Sequence, residues 1–190
     1  MKILFLTHQF FPEYQTGTER FVLNNALMTQ KLGNKVKVIT YSFYENDFYE
    51  HETHGILYRE FFFEGISILA FKYQKHPPNM NLLLHNNLLF GFAQAVLEQE
   101  SPDLIHVGHP MRVHELIWAA KDMGIPYIIT LTDFFLLCPK INLAPNKFSL
   151  CNGPSKGNTC VKLCPEFNQQ FITAWPFWAG ALAASRKYPN

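Results

Sequence analysis

Charge, long apolar runs and cysteine are all scarce in this sequence. Its 16 Lys and Arg nearly cancel its 15 Asp and Glu, which leaves a formal net charge of +1. A chain this close to neutral offers no basic surface for nucleic acid, so we expect no nucleic-acid partner. It has no apolar run near the roughly 18 residues that span a bilayer, although peripheral membrane contact stays compatible with it. The apolar stretch Ile3–Thr7 is too short for a signal peptide, which predicts a cytoplasmic protein.

Two further shortages narrow the function. The first strand-to-helix loop has no Gly-x-Gly-x-x-Gly pattern, which disfavours a nicotinamide or flavin dinucleotide site. The 4 cysteines of a cytoplasmic protein are expected to be reduced, metal-bound or inert rather than disulfide-paired. Aromatic side chains, in contrast, are plentiful, with 18 Phe, 8 Tyr and 3 Trp. This richness indicates an apolar binding surface or a partner domain.

The hydrophobic pattern alternates between strands and helices along one predicted domain, residues 1–190. Short apolar runs between turn residues predict strands. Apolar residues at helical spacing, such as Leu116, Ile117 and Ala120, predict the helices between them. The predicted strands are 2–7, 35–42, 56–63, 66–73, 104–107 and 125–131, with a polar, aromatic loop over 43–53. This order predicts an α/β fold, a Rossmann-like parallel sheet with helices on both faces.

The strand 125–131 is predicted to be buried on both faces and to place Asp133 just beyond its carboxyl end. His109 follows Gly108 at the end of the preceding strand. Ligands of open α/β sheets bind at this edge, so Asp133 and His109 are the candidate catalytic residues. The alternative for His109 is a helix cap ahead of Pro110.

The loop after the first strand carries Thr16, Gly17, Thr18 and Glu19. Thr16 and Glu19 have the spacing of a capping box, in which hydroxyl and carboxylate each satisfy a backbone N–H at the helix start. Gly17 points to a different use, because a glycine here lets a phosphate or sugar approach the positive end of the helix. Both interpretations of the loop stay open.

The four cysteines fall as Cys138-x12-Cys151-x8-Cys160-x3-Cys164, within a loop excursion over 138–165 that is rich in turn formers. Such a loop needs a stabilising element, and four thiolates can bind a structural Zn²⁺ tetrahedrally. Only Cys160 and Cys164 have a close ligand spacing, so reduced packing thiols or a disulfide are the alternatives. A cysteine nucleophile is disfavoured because no base partner is evident. Beyond this loop, 167–184 predicts an apolar, aromatic helical segment.

Several segments together resemble one known family. They are Met1–His8, Thr16–Val22, Pro102–Val107 with His109, and Gly124–Phe134. In order and spacing they are similar to the N-terminal domain of retaining glycosyltransferases with the two-Rossmann GT-B architecture, of the family-four type related to glycosyl transferases group 1. The segment Asp133–Cys164 resembles a branch in which the central strand ends in a Cys-Pro step and a loop with further cysteines.

The resemblance implies transfer of a hexosyl group from a nucleotide-sugar to a glycan, lipid or other acceptor, with retention and without a catalytic metal. It implies that the Thr16–Thr18 loop faces the donor diphosphate and the reacting sugar. The loops around His109 and Asp133, with Thr132, would line the acceptor side. Backbone N–H groups at a helix start can stabilise the charge that develops on the diphosphate.

Two positions depart from the family pattern. Many relatives have two adjacent glycines in the first loop, where Thr16 takes the first place, and many have His-Asp where this chain has Thr132 and Asp133. The family's second domain carries a Glu-x7-Glu motif, and no region of this chain resembles that domain. We therefore expect the acceptor-side half of an enzyme, inactive by itself and dependent on a C-terminal Rossmann domain.

A second class of function is a non-catalytic α/β binding module, in which the cysteine segment is a metal-stabilised docking element. It predicts stoichiometric Zn²⁺ and no affinity for sugars. A third, a flavodoxin-like nucleotide-binding regulator, rests on fold analogy alone.

Overall fold

The computed structural model of the chain describes residues 1–77, 80–81, 84–138, 141–145, 149–153, 160 and 163–164. The chain divides into two compact units, Met1–Thr132 and Asp133–Asn190. All helices and strands with described bounds belong to the first unit. The helical segment predicted over 167–184 lies outside the described residues.

The first unit alternates strands and helices, which confirms the α/β fold expected from the sequence. Its strands are β1 (Lys2–Thr7), β2 (Lys35–Tyr41), β3 (His51–Thr53), β4 (Ile56–Phe63), β5 (Ile66–Tyr73), β6 (Leu104–Val107) and β7 (Tyr127–Ile129). Its helices are α1 (Gly17–Lys31), α2 (Asn87–Glu100) and α3 (His114–Asp122), with a single 3-10 turn over Asn46–Phe48. Within the described residues, no helix has the length and apolar content needed to cross a membrane.

The strands form one sheet in the order β3-β4-β5-β2-β1-β6-β7. β5, β2, β1, β6 and β7 run parallel, whereas β3 and β4 pair antiparallel at one side. Chain order along the parallel strands reverses at β1, which lies between β2 and β6, as in a Rossmann sheet. A reversal of this kind opens a crevice at the carboxyl ends of the two strands that flank it.

Helices cover both faces of this sheet, as predicted. Successive side chains of a strand point to opposite faces, and β1 shows this division. Leu4 and Leu6 belong to the core cluster that includes α2 and α3, while Phe5 belongs to the cluster that includes α1. On α2, Leu88 is exposed, whereas Leu89 beside it is fully buried.

Two tight turns between antiparallel strands use the left-handed backbone region. Glu64 and Gly65, between β4 and β5, have φ of 49° and 78°, and His54 and Gly55, between β3 and β4, have φ of 50° and 80°. Two successive positive φ values are typical of type I′ hairpin turns. The sequence predicts a loop over 43–53, but its last three residues pair with β4 as β3.

β7 contradicts the prediction of a strand over 125–131 that is buried on both faces. The strand is three residues long and lies at the edge of the sheet, next to β6. Tyr127, Ile128 and Ile129 are 38%, 51% and 39% exposed. An apolar run does not by itself reveal whether a strand lies at the centre or at the edge of its sheet, and the prediction assumed the centre.

An ion-pair network joins α2 to β1 and β2 at the amino ends of the strands. The Glu100 side chain is buried and contacts Lys2 Nζ at 2.7 Å and also Lys37 Nζ. Lys37 Nζ lies 2.8 Å from both carboxylate oxygens of Glu60. Burial alone would lower the pKa of Lys37, but hydrogen bonds to Glu100 and Glu60 raise it above its usual value. The charges at this edge of the sheet therefore satisfy one another.

The described part of the second unit is mostly turns and irregular backbone. Asp133 Oδ1 accepts a hydrogen bond from the N–H of Phe135 at 2.8 Å, the pattern of an Asx turn. The N–H of Cys151 donates to the carbonyl of Leu143 at 2.7 Å. Ile141 and Leu143 have φ of 58° and 52°, so this stretch bends sharply twice.

Candidate functional site

Four polar side chains meet in the crevice between the carboxyl ends of β1 and β6. His8 follows β1, His109 follows β6, Glu19 lies in the first turn of α1, and Arg112 lies in the loop before α3. We name these four residues the switch-point cluster. The carboxyl ends of parallel strands lie at one edge of a sheet, which explains how residues so distant in sequence come together.

His8 and His109 stack on each other inside the cluster. Their ring centroids are 4.1 Å apart and their planes differ by 39°. His109 is 2% exposed, and its Nδ1 accepts a hydrogen bond from the N–H of Met111 at 3.2 Å. The next helix begins at His114, so His109 does not cap it and instead stabilises the turn that precedes it.

Burial keeps His8 uncharged. Its pKa is lowered from 6.5 to about 3, first by burial and then by the charges of His109 and Arg112. His8 Nε2 lies 3.9 Å from Glu19 Oε1, and His8 Nδ1 has no hydrogen-bond partner among the described residues. A neutral imidazole has one donor and one acceptor nitrogen, so His8 can exchange a hydrogen bond with a bound hydroxyl at neutral pH.

Glu19 is fully buried and anchors the start of α1. Its Oε2 accepts hydrogen bonds from the N–H of Thr16, at 2.7 Å, and from the Thr16 hydroxyl. The capping box predicted for these two residues is therefore confirmed. Glu19 Oε1 has no hydrogen-bond partner among the described residues. Buried acceptors of this kind are uncommon, and Oε1 suits a hydrogen bond from a ligand.

Gly17 and Thr18 open α1, and the first N–H groups of a helix have no partner within it. The capping box formed by Thr16 and Glu19 does not use the N–H groups of Gly17 and Thr18. A Cβ built at Gly17 would meet nothing within 4 Å, so the glycine leaves open space rather than a tight protein contact. The positive end of the helix dipole favours an anion here, so the two interpretations of this loop are compatible.

Arg112 supplies a permanent positive charge to the cluster. Its Nε donates to Asn81 Oδ1 at 2.6 Å, and its Cζ lies 4.8 Å from the ring centroid of Phe43. Its φ of 63° falls in the left-handed region, a costly conformation for a non-glycine residue and one that is common at functional sites. Its Nη1 donates to the carbonyl of His8 at 3.5 Å, and the remaining N–H donors of its fork suit a phosphate or a carboxylate.

Aromatic side chains form the wall next to Arg112. The ring centroids of Tyr41 and Phe43 are 5.2 Å apart, and Arg112 Cζ lies 5.7 Å from that of Tyr41. The Tyr41 hydroxyl is hydrogen-bonded to His76 Nδ1 at 2.7 Å, and burial raises the pKa of Tyr41 to about 12. An aromatic wall with a few convergent polar groups is typical of small-molecule sites.

A chain of hydroxyl groups connects the loops around the crevice. Thr18 Oγ1 donates to Thr132 Oγ1 at 3.1 Å, and the Thr132 hydroxyl donates to the carbonyl of Gly108 at 3.0 Å. A Cβ at Gly108 would lie 2.3 Å from Val22 Cγ2, so only glycine lets the end of β6 pass this close to α1. The predicted binding residues at the start of α1 and at Thr132 thus lie side by side.

The structure places the two predicted catalytic residues in different units. His109 belongs to the switch-point cluster of the first unit, and Asp133 belongs to the second, where it holds the Asx turn. His8 and Arg112 are absent from the residues predicted as a site. The position of His8 immediately after a parallel strand is a signal for it, whereas the placement of Arg112 depends on a left-handed loop that no motif predicts.

The four cysteines lie in the second unit, and none forms a disulfide. Burial raises the pKa of the Cys160 thiol, and the nearby thiols of Cys164, Cys138 and Cys151 raise it further. The thiol of Cys160 therefore lies within electrostatic reach of the other three. Even so, no group of three or more His, Cys, Asp or Glu within the described residues is arranged to hold a metal ion. The structural zinc stays a prediction.

Fold and geometry define a class, a Rossmann-like α/β protein with its candidate ligand site at the topological switch point. The chain matches no protein-family model, and no curated protein matches it either. The switch-point cluster itself therefore provides the observations that bear on function.

Proposed function

We propose that this chain is the acceptor-side domain of a retaining, cytoplasmic glycosyltransferase that moves a hexosyl group from a nucleotide-sugar to a sugar-containing acceptor. The observation that carries the proposal is the pair of buried atoms without hydrogen-bond partners among the described residues, His8 Nδ1 and Glu19 Oε1. They lie at the switch point together with Arg112 and the start of α1.

The charges of the cluster suit the two parts of a nucleotide-sugar. Arg112 and the N–H groups of Gly17 and Thr18 provide positive potential for a diphosphate. His8 and Glu19 instead provide neutral and acidic acceptors, which suit sugar hydroxyls. The lowered pKa of His8 matters for this assignment, because a second cation would not accept a hydroxyl proton.

The reaction we propose exchanges one bond at the anomeric carbon. The oxygen of the acceptor hydroxyl bonds to that carbon, the bond from the carbon to the diphosphate breaks, and the hydroxyl proton leaves with the nucleoside diphosphate. Charge grows on the diphosphate as the bond breaks, and fixed donors at a helix start and a guanidinium stabilise such charge. His109 and Thr132, both in the first unit, are proposed to position the acceptor. A second Rossmann domain would hold most of the nucleotide.

The first experiment is a titration of the chain with inorganic pyrophosphate and with uridine and guanosine diphosphates, followed by two-dimensional NMR. We expect saturable shifts at the amides of Gly17 and Thr18. Arg112→Ala should weaken pyrophosphate binding about 10-fold or more, because a charge-assisted hydrogen bond is lost.

Arg59→Ala is the matched control. Arg59 packs on Phe48, with Cζ 4.9 Å from the ring centroid, much as Arg112 packs on Phe43. Arg59 lies on β4, away from the switch point, so its loss should leave binding unchanged. The proposal is wrong if no diphosphate shifts these amides, or if the two arginine variants behave alike.

The second candidate is the non-catalytic module with a metal-bound cysteine segment, favoured by the electrostatic effect of the other three thiols on the pKa of Cys160. Metal analysis of the purified chain decides between them. About one zinc per chain together with no response to diphosphates would favour the module. A zinc-free chain that binds diphosphate would exclude the metal-bound module and favour the glycosyltransferase proposal.

A further inference from the structure

A polar cavity separate from the switch-point cluster lies at the carboxyl edge of the sheet. It is bounded by the end of β5, the segment that leads into α2, and the start of α3. Its volume is about 160 Å³. Its walls include Tyr73, Leu84, His85, His114 and Glu115. None of these residues belongs to the switch-point cluster. Cavities of about 150 Å³ can hold a molecule the size of benzene, so a group of about six heavy atoms fits.

Glu115 is the unusual group in this cavity. Its side chain is 0% exposed, and neither carboxylate oxygen has a hydrogen-bond partner among the described residues. His114 Nε2 comes within 3.0 Å of Glu115 Oε1, but its hydrogen bond goes to the carbonyl of Leu84, at 2.9 Å. A fully buried carboxylate that accepts no hydrogen bond is costly, so proteins rarely keep one that serves no purpose.

The polar atoms of the cavity wall that have no hydrogen-bond partner among the described residues are acceptors. Both oxygens of Glu115 accept only, when the group is ionised, and neither receives a hydrogen bond from the described part of the chain, although His114 Nε2 lies 3.0 Å from Oε1. The rings of Tyr73 and His85 add apolar and aromatic surface. A complementary ligand therefore brings positive charge and several N–H donors on a compact centre, and a primary ammonium group has these properties.

A metal ion fits this cavity less well. Hard cations take six or more oxygen ligands, and zinc takes three or four protein ligands. Here Glu115 is accompanied by His114, whose Nε2 is already engaged with the carbonyl of Leu84. Within the described residues no group of three metal-binding side chains occurs.

We propose that this cavity is a binding site for a small primary ammonium group, held by the carboxylate of Glu115 between the rings of Tyr73 and His85. The site does not depend on the proposed sugar transfer. It is separated from Arg112 by Tyr41, whose hydroxyl accepts a hydrogen bond from the N–H of Tyr73 at 3.4 Å. A molecule with an ammonium group can thus bind beside the crevice without occupying it.

Three probes of similar size test the assignment on the intact chain. n-Butylammonium carries both charge and N–H donors, tetramethylammonium carries charge alone, and n-butanol carries neither charge nor N–H. Two-dimensional NMR titrations should give saturable shifts at the amides of Tyr73, His114 and Glu115 for n-butylammonium. The other two probes should bind at least about 10-fold more weakly, because each lacks part of the charge-assisted hydrogen bonding.

Two variants locate the interaction at one side chain. Glu115→Gln keeps the shape and removes the charge, and it should weaken n-butylammonium binding about 10- to 100-fold. Glu98→Gln, on the exposed face of α2, is the matched control and should bind as the wild type does. Glu115→Met removes the unpaired carboxylate and should raise the Tm by at least about 2 °C while abolishing binding.

The outcomes are decisive in both directions. Equal binding of n-butylammonium and n-butanol, or unchanged binding by Glu115→Gln, would overturn the site. A lower Tm for Glu115→Met would do the same, because it would show that the carboxylate stabilises the fold. The comparison of the three probes uses the wild-type chain and so stands even if a variant fails to fold. Failure here leaves the diphosphate titration of the switch-point cluster unaffected.

Discussion

At the scale of single residues, burial decides which members of the switch-point cluster carry charge. His8 is held neutral by its surroundings, whereas the guanidinium of Arg112 stays charged in the same crevice. Two histidines in contact at 4.1 Å would repel each other if both were protonated. The arrangement thus keeps an uncharged hydrogen-bonding group next to a fixed cation, a combination that ligands with both hydroxyl and phosphate groups require.

The neutral state of His8 has a consequence for stability against pH. Its pKa falls from 6.5 in the unfolded chain to about 3 in the fold, so the unfolded state binds the extra proton between these values. Stability should therefore decrease as pH falls below about 6.5, by up to about 1.4 kcal/mol per pH unit from this group, and level off near pH 3.

Urea unfolding of the wild type and of His8→Gln between pH 7 and pH 4 measures this contribution of His8 to the unfolding free energy. The variant has no titrating ring and should show a shallower fall of the unfolding free energy. His54→Asn, at an exposed turn, is the control and should keep the wild-type slope. Parallel curves for wild type and His8→Gln would contradict the assignment.

A steric prediction applies to Gly108. Gly108→Ala would place its Cβ 2.3 Å from Val22 Cγ2, and we expect a loss of about 1–3 kcal/mol in unfolding free energy. Combining it with Val22→Ala should recover part of this loss, because the clashing methyl group is removed. Gly91→Ala, where a new Cβ meets nothing within 4 Å in the middle of α2, should instead stabilise by up to about 1 kcal/mol. Equal effects at the two glycines would refute the steric account.

At the scale of elements, local signals predicted the helices and the β4–β5 hairpin, and tertiary context determined the rest. β4 and β5 match their predicted bounds because Glu64 and Gly65 mark the turn between two apolar runs. Gly33, with φ of 84°, follows α1 where a glycine stop is expected. β7 was placed correctly in sequence but not in burial, since its exposure depends on its place at the edge of the sheet.

The site was predictable only where a residue stands next to an element boundary. His109 and the Thr16–Thr18 loop follow strands or open a helix, so their location at the carboxyl edge could be inferred. Arg112 enters the site through a left-handed φ in an irregular loop, which sequence periodicity does not encode. The cavity around Glu115 was missed for a related reason, because a glutamate at the start of a helix ordinarily serves its dipole at the surface.

The N-cap of α2 gives a prediction at this scale. Asn86 Oδ1 accepts hydrogen bonds from the N–H groups of Leu88 and Leu89, both at 3.1 Å. Asn86→Ala should lower the unfolding free energy by about 1 kcal/mol. Asn87→Ala, one position later and exposed, should be neutral or slightly stabilising, because alanine has the higher helix propensity. Thermal unfolding of the two variants checks this, and identical Tm values would speak against the cap.

At the scale of the whole first unit, the two ends of the sheet differ in how their polar groups are satisfied. Charges at the amino edge pair with one another through Lys2, Lys37 and Glu100. Acceptors at the carboxyl edge, on His8, Glu19 and Glu115, lack hydrogen-bond partners among the described residues. Stability is thus concentrated at one edge, and binding capacity at the other.

The amino-edge network predicts a pH-dependent loss. Burial alone would raise the pKa of Glu100, but hydrogen bonds from Lys2 and Lys37 lower it below its usual value. A carboxyl group whose pKa is lowered on folding stabilises the fold at pH values above its pKa in the unfolded chain. This stabilisation is lost as the pH falls through the pKa of the folded state. Glu100→Gln should therefore cost about 2–4 kcal/mol at pH 7 and progressively less in acid, below about pH 4.

Denaturant unfolding at pH 7 and pH 3.5 tests the network. Glu60→Gln removes the other carboxylate that contacts Lys37. The side chain of Glu60 is 43% exposed, so its loss should cost less than about 1 kcal/mol in unfolding free energy. A cost for Glu100→Gln that is independent of pH would contradict the assignment of this loss to the charge of Glu100.

The reversal of strand order at β1 also determines when β1 can complete its pairing during synthesis of the chain. β1 is paired on both sides, and the N–H of Lys2 bonds to Asp103 Oδ2, 101 residues further along the chain. Ribosomes add about 5–20 residues per second, so one side of β1 waits on the order of 5–20 seconds for β6 to emerge. An unpaired strand edge is a template for aggregation during that interval. The nascent first unit should therefore be a chaperone client until β6 has been translated and has left the ribosome.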